Sequence, residues 1–370
     1  MRHEALQVLV REHLVRDASF FDGSPQVHTD PVADRIRGML LGAAIGDALG
    51  NTTEGINPGE RRERFGEIRD YLPNRYAAGR AVGLPSDDTQ LSFRTVEQLL
   101  ADGEFRGEPL LARFAAEQVF GMGTNTRHAL EHFRTHGFDW STVGTVGGAG
   151  NGAMMRIAPV LLPHLQHPTA RLWSDTALAT VITHRDAAAV AVSVAWVALL
   201  WDLIGMKHAP APEWWAERFI DVVRQVEGPG HSYRPRGGAW SEFDGSLTEW
   251  LERCQSQFSL QRSAIDGGRL WYSGAYLLET VPSVLHILTL WGDDPEEAMA
   301  RAVNDTRDND TIASIVGAAL GGLHGTAGFS ERWMTGLLGR TRDRDDGWVH
   351  ELVDRAVVRF VRAPGGVLDD

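Results

Sequence analysis

Two acidic segments, far apart in the chain, carry side chains that can bind metal ions. Residues 86–89 read SDDT and residues 308–311 read DNDT, and each segment precedes apolar residues with helical spacing. Mg²⁺ and Mn²⁺ are hard cations that prefer carboxylate and hydroxyl oxygens, and two ions need more carboxylates than one segment supplies. Helix capping is the alternative interpretation, because Ser, Asp and Asn favour N-cap positions. The two segments, here called the first and second acidic clusters, hold more carboxylates than capping needs and therefore favour a metal centre.

A glycine-rich segment at residues 144–152, with the sequence GTVGGAGNG, is a candidate binding loop. A glycine-rich turn that leads into a helix can present several backbone N–H groups to an anion or a sugar. Residues 120–123, with the sequence FGMG, are a weaker candidate of the same kind. Many such segments are plain turns, so the pattern leaves a structural role open.

Asp47 and His184 are single residues with two interpretations each. Asp47 falls on the apolar face of a predicted helix, where an unpaired carboxylate is costly to bury. It is either a structural acid that is hydrogen-bonded to the backbone or a residue that orients metal ligands without binding the metal itself. His184 falls at a predicted helix start, and such a histidine is either structural or part of a binding site.

Apolar residues recur with helical spacing along most of the chain, and alternating strand patterns are scarce. The sequence therefore predicts an all-α globule of many short to medium helices, with Asp34 as the N-cap of the first. Helices are predicted at residues 35–49, 91–101, 109–119, 175–181, 187–203, 213–226, 276–290, 294–303 and 348–361, and after the second acidic cluster. Loops are predicted at residues 51–85, 120–125, 138–152 and 228–246.

Glycines recur every fourth residue along two of these predicted helices. They are Gly38, Gly42, Gly46 and Gly50 in the first helix, and Gly317, Gly321 and Gly325 after the second acidic cluster. A glycine in a helix costs up to about 1 kcal/mol relative to alanine, but it lets another backbone approach closely. We therefore expect these two glycine faces to pack in a tight core beneath the acidic clusters.

Composition excludes several classes of protein. The 370 residues carry a net charge of −13, which argues against nucleic-acid binding, and 43% are hydrophobic, enough for a large core. Lys207 is the only lysine, which excludes a phosphate loop of the kind that ends in lysine. Cys254 is the only cysteine, so no disulfide framework or thiolate metal site is expected. The apolar run at 187–201 is too short to cross a membrane, and residues 1–30 lack the apolar core of a signal peptide, so we expect a cytoplasmic protein.

These segments, in this order, resemble the ADP-ribosylglycohydrolase family. The resemblance begins with residues 38–50 (GMLLGAAIGDALG), which lead to Glu54 and the first acidic cluster. It continues through residues 150–156 (GNGAMMR), 183–184 (TH) and 279–282 (ETVP) to the second acidic cluster and its glycine-faced helix. Each stretch is modest alone, but the ordered set spans roughly residues 34–325 and is specific.

The resemblance implies an all-α fold that holds two Mg²⁺ or Mn²⁺ ions between the acidic clusters. It implies a single domain at residues 31–365, preceded by an N-terminal extension at residues 1–30. Carried over by position, the metal ligands would be Ser86, Asp87, Asp88, Asp308, Asp310 and Thr311. Many relatives have threonine at the position of Ser86, and either side chain supplies a hydroxyl oxygen.

The resemblance also implies a cleft for ADP-ribose. Its substrate-binding residues would be Gly121, Gly123, Gly147, Gly148, Asn151, Gly152, His184 and Tyr276. Asn151 would lie near the distal ribose, and the catalytic residues would be Glu54, on a mobile flap beside the scissile bond, with Asp87 and Asp310. Ala149 stands where some relatives place an aromatic residue against adenine, so Tyr276, Tyr272 or Trp271 is expected to replace it.

The function implied is metal-dependent hydrolysis of the glycosidic bond that joins ADP-ribose to a protein side chain or small acceptor, with release of ADP-ribose. Metals would bind the ribose hydroxyls, and Glu54 would act as acid and base toward water and the leaving group. Arginine is the favoured acceptor, while serine and O-acetyl linkages stay open. A metal-dependent nucleotide phosphohydrolase and a non-catalytic ADP-ribose-binding relative are the alternatives. The expected partner is ADP-ribose or an ADP-ribosylated protein, without membrane association, and a monomer is expected.

Overall fold

The computed structural model describes residues 2–17, 19–29, 32–338 and 349–361, and helices dominate it. In chain order they are α1 (Arg2–Arg11), α2 (Ala33–Gly50), α3 (Pro58–Phe65), α4 (Asp87–Asp102), α5 (Gly107–Ala116), α6 (Thr124–His136), α7 (Arg171–Val181), α8 (Ala187–Gly205), α9 (Pro212–Val226), α10 (Leu247–Phe258), α11 (Ala264–Trp271), α12 (Leu277–Trp291), α13 (Pro295–Asp305), α14 (Asn309–His324), α15 (Glu331–Gly336) and α16 (Val349–Phe360). The all-α prediction is confirmed.

Short elements connect these helices. Turns of 3₁₀ helix lie at Ser19–Asp22, Asn51–Thr53, Arg75–Ala77, Met154–Arg156, Ala158–His164 and Thr326–Gly328. Strands β1 (Thr145–Val146) and β2 (His184–Arg185) form a two-residue parallel pair, with Thr145 opposite His184. This pair fixes the start of the glycine-rich segment beside β2.

Glycine contacts between α2 and α14 form the centre of the fold. A Cβ added to Gly42 would lie 2.3 Å from the carbonyl oxygen of Gly317, and one added to Gly38 would lie 2.5 Å from that of Gly321. As the number rises along α2, the residue facing it on α14 falls, so the two helices run antiparallel. No side chain fits between them, because such distances are shorter than real Cβ contacts. The predicted packing of the two glycine faces is therefore confirmed.

Helix α8 is a buried element of the core, as its apolar composition predicts. The prediction that the apolar run at 187–201 is too short to cross a membrane was wrong, because the helix continues to Gly205 and is the one helix in the described ranges that is long and apolar enough. Its burial was predicted correctly, since 94% of its most apolar window lies inside the protein. Asp186 begins it by accepting hydrogen bonds from the N–H groups of Ala188 (2.9 Å) and Ala189 (3.2 Å). The helix contacts α7, α9 and α14, so its surface is covered by other helices.

Several predictions of local structure were wrong. The helices α1, α3, α6, α10, α11 and α15 were not predicted, and α3 and α6 begin within predicted loops. In α6 only Thr126, Ala129 and Leu130 are buried, so its apolar stripe is too short to stand out in the sequence. Asp34 does not cap α2, which begins at Ala33, and it instead accepts a hydrogen bond from Thr326. The predicted helix at 348–361 corresponds to α16, and its residue 348 lies outside the described residues.

The N-terminal segment packs on the rest of the molecule. Helix α1 contacts α7, and Glu12 pairs with Arg185 of β2. Farther along, the indole N–H of Trp173 donates to the carbonyl oxygen of Gly23 (2.7 Å), and that of Trp201 to Gln26 (2.8 Å). The division of the chain into an extension at 1–30 and a domain at 31–365 stays a prediction.

Candidate active site

Three helix ends meet at the two acidic clusters. The antiparallel packing of α2 on α14 places the C-terminal end of α2 beside the N-terminal end of α14, and a Cβ on Gly50 would lie 2.4 Å from the Cα of Asp310. The first acidic cluster lies at the N-terminal end of α4. Neither Ser86 nor Asp308, the residues at the N-cap positions, uses its side chain to cap its own helix. Capping therefore does not explain either cluster.

Asp47 holds the first acidic cluster against α2. Its two carboxylate oxygens accept six hydrogen bonds, at 2.7–3.0 Å, from Asn51, Ser86 and Thr89. Three of these come from Ser86: its main-chain N–H donates to both oxygens, and its hydroxyl donates to Oδ1. A fourth comes from the main-chain N–H of Thr89. The fully buried carboxylate thus caps α4 from outside that helix. Asp47 is structural and at the same time orients the residues around the cluster.

The carboxylates of both clusters come close enough to share a cation. Oxygen atoms of Asp47, Asp88 and Asp310 all lie within 4.8 Å of one another. The hydroxyl of Thr311 donates to Oδ2 of Asp88 at 3.3 Å, while Oδ1 of Asp88 is buried without a hydrogen-bond partner in the described part of the chain. A buried carboxylate oxygen of this kind is costly unless a cation or donor meets it. Since Asp47 is already saturated with donors, Asp88 and Asp310 are the better ligands.

Asp308 is held by a strained turn and by Asn151. Tyr272 and Ser273 have positive φ angles of 82° and 51°, which residues other than glycine rarely adopt. In this conformation the carbonyl oxygen of Ser273 accepts hydrogen bonds from the N–H groups of Arg307 and Asp308, both at 3.1 Å. The amide of Asn151 then donates to Oδ2 of Asp308 at 2.5 Å. The turn and Asn151 together aim this carboxylate into the site.

The electrostatics of the site favour bound cations. Burial raises the pKa of Asp87, Asp88 and Asp310 well above the usual carboxyl value, and neighbouring carboxylates raise each pKa further. Burial also raises the pKa of Asp308, against the hydrogen bond from Asn151. The carboxylates repel one another, and divalent ions between them would remove this repulsion.

Glu54 lies at the rim of the site, just after the 3₁₀ turn that extends α2. Its side chain is accessible to solvent yet lies within the cleft, and partial burial, followed by the charges of Asp308 and Asp47, raises its pKa. The amide of Asn309 anchors the preceding turn by donating to the carbonyl oxygen of Gly50 (2.9 Å) and to the hydroxyl of Thr53 (3.0 Å). A raised pKa makes this carboxyl group a better proton acceptor than an ordinary glutamate, which suits an acid and base.

Buried Arg61 anchors the other side of the Glu54 segment. Its guanidinium donates to the carbonyl oxygen of Ile56 at 2.7 Å and to those of Val303 and Thr306, both at 2.8 Å. These bonds connect the Glu54 segment with the chain that leads into the second acidic cluster. The sequence did not single out Arg61 or Asn309, because both act through contacts that are distant in the chain.

A cleft of about 420 Å³ opens above the acidic clusters. The predicted substrate-binding residues all line it: Gly121, Gly123, Gly147, Gly148, Asn151, Gly152, His184 and Tyr276. It is also lined by Glu54, Asp87, Asp308, Asp310 and Thr311, while the other two predicted ligands, Ser86 and Asp88, are buried at the end of α4. The structure therefore brings the predicted site residues together in one place.

The glycine-rich segment forms one wall of this cleft. The N–H of Asn151 donates to the carbonyl oxygen of Ala275 (3.2 Å), and the N–H of Leu277 donates to that of Ala149 (3.0 Å). Within the described part of the chain, the N–H groups of residues 148–150 donate to no acceptor. Free N–H groups that border a cleft can bind an anion.

His184 supports the glycine-rich segment as a neutral side chain. A Cβ on Gly152 would lie 3.1 Å from its ring, which is a tight contact, so glycine lets the loop pass close to this histidine. Burial, together with the charge of Arg156, lowers the pKa of His184 to about 3. The imidazole is therefore uncharged at neutral pH, with its Nδ1 2.9 Å from the hydroxyl of Thr183.

Two parts of the cleft were not predicted from the sequence. The first turn of α6, with Thr124, Asn125 and Thr126, lines it, although residues 120–125 were predicted as a loop. Threonine and asparagine after glycine are a helix-start signal that could have revealed this turn. Arg236 also lines the cleft, and nothing in the sequence distinguishes it from Arg234 in the same loop.

Of the three aromatic residues expected to contact adenine, one lines the cleft. Trp271 is fully buried, and its indole N–H donates to the hydroxyl of Ser283 at 3.0 Å, so it cannot face a ligand. Tyr272 packs against Gly237 and Arg307 and is absent from the cleft lining. Tyr276 lines the cleft, so it alone of the three candidates can contact a bound molecule.

Comparison with known proteins shows the family of this chain. Residues 28–365 match the ADP-ribosylglycohydrolase family. The chain belongs to this family. The resemblance seen in the sequence is thereby confirmed, and the chain is an enzyme of the ADP-ribosylglycohydrolase type that acts on ADP-ribose linkages.

Individual relatives cover most of this glycohydrolase. ADP-ribosylarginine hydrolase Tri1 of Pseudomonas putida is 25% identical over 342 residues, which are 90% of this chain and 79% of the relative. ADP-ribosyl-[dinitrogen reductase] glycohydrolase of Rhodospirillum rubrum is 25% identical over 316 residues, or 85% and 92% of the two chains. A solved structure titled ADP-ribosylglycohydrolase-related protein complex superposes with a TM-score of 0.65 at 24% identity, and covers 89% of this chain and 98% of that one. This last likeness shows the shared fold.

Proposed function

We propose that this glycohydrolase releases ADP-ribose from modified arginine side chains and that it needs two divalent metal ions. One observation carries the proposal: both acidic clusters meet at the floor of a single cleft whose walls offer free N–H groups. The choice of arginine is supported by a relative named ADP-ribosylarginine hydrolase, which matches 90% of this chain. The cleft size is in the range of small-molecule sites.

The donor set of the site fits Mg²⁺ or Mn²⁺. Carboxylate and hydroxyl oxygens are the ligands these ions prefer, and the buried, partnerless Oδ1 of Asp88 needs such an ion. The residues that would hold two ions are Ser86, Asp87, Asp88, Asp308, Asp310 and Thr311. When bound, the ions supply positive charge that holds the ribose hydroxyls and stabilises charge developing at the reacting sugar.

Glu54 is the group proposed to move protons. Hydrolysis breaks the bond between the anomeric carbon and the arginine nitrogen, water supplies the new oxygen, and the departing nitrogen takes up a proton. Glu54 lies at the rim of the cleft beside the acidic clusters, where its carboxyl group can take a proton from water and pass one to the leaving group. Asn309 and Arg61 keep the segment in place, so the Glu54 carboxyl stays near the acidic clusters.

The walls of the cleft are proposed to orient ADP-ribose. The free N–H groups of residues 148–150 and the N-terminal end of α6 both favour a negatively charged group, here the diphosphate. Asn151, which already donates to Asp308, lies where the distal ribose would approach the metals. Tyr276 offers the half-buried ring that can contact adenine.

Hydrolysis of modified peptides tests this function. Peptides with ADP-ribosyl-arginine or ADP-ribosyl-serine are incubated with the protein in Mg²⁺, Mn²⁺ or excess EDTA, and released ADP-ribose is measured. We expect release from the arginine peptide with metal, none with EDTA, and little from the serine peptide. Preferred release from serine would refute the arginine assignment, and full activity in EDTA would refute the metal requirement.

Two alternatives give different outcomes in the same assay. A nucleotide phosphohydrolase would release inorganic phosphate from nucleotides rather than ADP-ribose from peptides. A non-catalytic relative would bind ADP-ribose without turnover. Asp87→Asn is the control for a contaminating hydrolase, since activity that belongs to this protein should be lost in the variant. A cytoplasmic location and a monomeric state stay predictions, the second of which light scattering can check.

A further inference from the structure

Arg236 is the one cationic side chain among the described residues that line the cleft. The cleft also contains the carboxylates of Glu54, Asp87, Asp308 and Asp310, while His184 is uncharged because its pKa lies at about 3. An anionic ligand that enters the cleft therefore meets a single positive side chain. The acidic net charge of the whole chain, −13, makes such a local positive group important for attracting it.

The loop that carries Arg236 is anchored on both sides. Tyr233 pairs with Gly245, with its N–H 2.8 Å from the carbonyl oxygen of that glycine. After Arg236, the N–H of Ala239 donates at 2.8 Å to the carbonyl oxygen of Arg269. The main-chain N–H of Arg236 itself donates to Oε1 of Glu279 at 2.9 Å. Its backbone position is thus fixed by neighbouring elements, although the segment is rich in glycine and proline.

The guanidinium of Arg236 is oriented but keeps free donors. Its central carbon lies 4.8 Å from the ring centroid of Tyr276, and its Nε lies 3.6 Å from Oε1 of buried Glu279. The side chain is still 58% exposed, and its terminal nitrogens form no hydrogen bond within the described part of the chain. A guanidinium that already packs over an aromatic ring and faces Glu279 loses little freedom when it binds, and its planar fork matches phosphate oxygens.

Arg236 lines the cleft beside the glycine-rich segment. Tyr276, under the guanidinium, pairs with Gly150 of the glycine-rich segment, next to the free N–H groups of residues 148–150. Arg236 therefore lines the cleft beside this aromatic ring and the free N–H groups, and the same cleft holds the metal ligands. The diphosphate of ADP-ribose would reach this position if its distal ribose meets the metals.

We propose that Arg236 binds the diphosphate of ADP-ribose through its guanidinium and selects ligands that carry this group. The proposal rests on the proposed function of the cleft. Glu279 and Tyr276 are the residues that hold the guanidinium in its binding orientation. The same chemistry would attract any nucleoside diphosphate, so the sugar end of the ligand must be recognised by the metals and Asn151.

Calorimetry with metal-loaded protein and ADP-ribose tests the proposal. Arg236→Gln should weaken binding by about 10-fold or more, since a charge-assisted contact is lost. Raising NaCl from about 50 mM to about 500 mM should reduce the difference between this variant and the wild type, because salt screens the ionic contact. The matched control is Arg234→Gln, which lies two residues away, pairs with Asp244 and does not line the cleft. It should bind ADP-ribose within about two-fold of the wild type.

Arg236→Lys keeps the charge but loses the planar fork, and should bind several-fold more weakly than the wild type with its salt dependence retained. Wild-type affinity in either Arg236 variant would overturn the proposal. So would an equal loss in Arg234→Gln, or a loss in Arg236→Gln that is independent of salt, which indicates a distorted loop. Absence of ADP-ribose binding in the wild type would overturn the proposed function as well, whereas wild-type binding with unaffected variants would overturn this inference alone.

Discussion

Replacing Gly46 by alanine should loosen the contact between α2 and α14 and, with it, the metal site. The added Cβ would lie 2.1 Å from the carbonyl oxygen of Ala313, 2.3 Å from its carbonyl carbon and 2.6 Å from the nitrogen of Ser314. All three are main-chain atoms of a buried helix, which cannot turn aside as a side chain could. To reach ordinary contact distances, the two helices must separate locally by about 1 Å.

The expected loss of stability follows from two opposing effects. Overpacking by a methyl group in a close-packed core costs roughly 1–3 kcal/mol, and contact with rigid backbone puts Gly46→Ala near the upper end. Alanine gains about 1 kcal/mol of helix propensity over glycine, which offsets part of this cost. We therefore expect a net loss of about 2 kcal/mol in the free energy of unfolding.

A matched control separates packing from propensity. A Cβ on Gly59, in α3, would meet only Oδ1 of Asn57 at 3.5 Å, which is an ordinary contact. Gly59→Ala should therefore stabilise the protein by about 0.4–1 kcal/mol. The two alanine variants are predicted to shift the melting temperature in opposite directions.

Calorimetric melting in EDTA and titration with Mn²⁺ are the two assays. Gly46 precedes Asp47 in α2, and this part of α2 packs against the N-terminal end of α14, which carries Asp310. Separation of the two helices should therefore weaken Mn²⁺ binding by about 10-fold or more. If Gly46→Ala melts at or above the wild-type temperature and binds Mn²⁺ with wild-type affinity, the glycine contact does not set the spacing of the acidic clusters, and the reasoning is refuted.

Three further predictions concern the site itself. Glu54→Gln should lower turnover by roughly 100-fold or more while leaving Mn²⁺ affinity and melting unchanged, because an acid and base group is lost; near-normal turnover would assign proton transfer elsewhere. Asp47→Asn should weaken Mn²⁺ binding by about 10–100-fold, since an amide nitrogen would face the donors of Ser86 and Thr89; wild-type affinity would make Asp47 purely structural. Burial raises the pKa of Asp88 above its unfolded value near 3.9. Its contribution to the free energy of unfolding is therefore fully present below about pH 4 and is lost as the pH rises through the pKa of the folded state. Mg²⁺ should therefore raise the melting temperature more at pH 7.5 than at pH 5, and an equal rise at both would contradict this linkage.

Much of the scaffold could be predicted from local sequence patterns. The helical class, the buried α8 and the paired glycine faces follow from residue spacing, which depends only on neighbours within a few turns. The acidic clusters and the glycine-rich segment were recognisable for the same reason. Predictions failed where a short, polar helix such as α6 draws its stability from tertiary contacts instead of its own apolar stripe.

The arrangement of the site was decided by long-range contacts. The sequence determined which side chains could bind metal. Only the antiparallel packing of α2 on α14, together with the hydrogen bonds that tie the first acidic cluster to Asp47 on α2, shows that Asp88 and Asp310 share one site. The six hydrogen bonds accepted by Asp47 join residues up to 42 positions apart, and Arg61 reaches carbonyls 242 to 245 positions away. Arg236 lines the cleft and packs over Tyr276, whereas Arg234, two residues away, pairs with Asp244 outside it. Such partners come together when the chain folds, because burial, charge and hydrogen bonding act between residues that are close in space, whatever their separation in sequence.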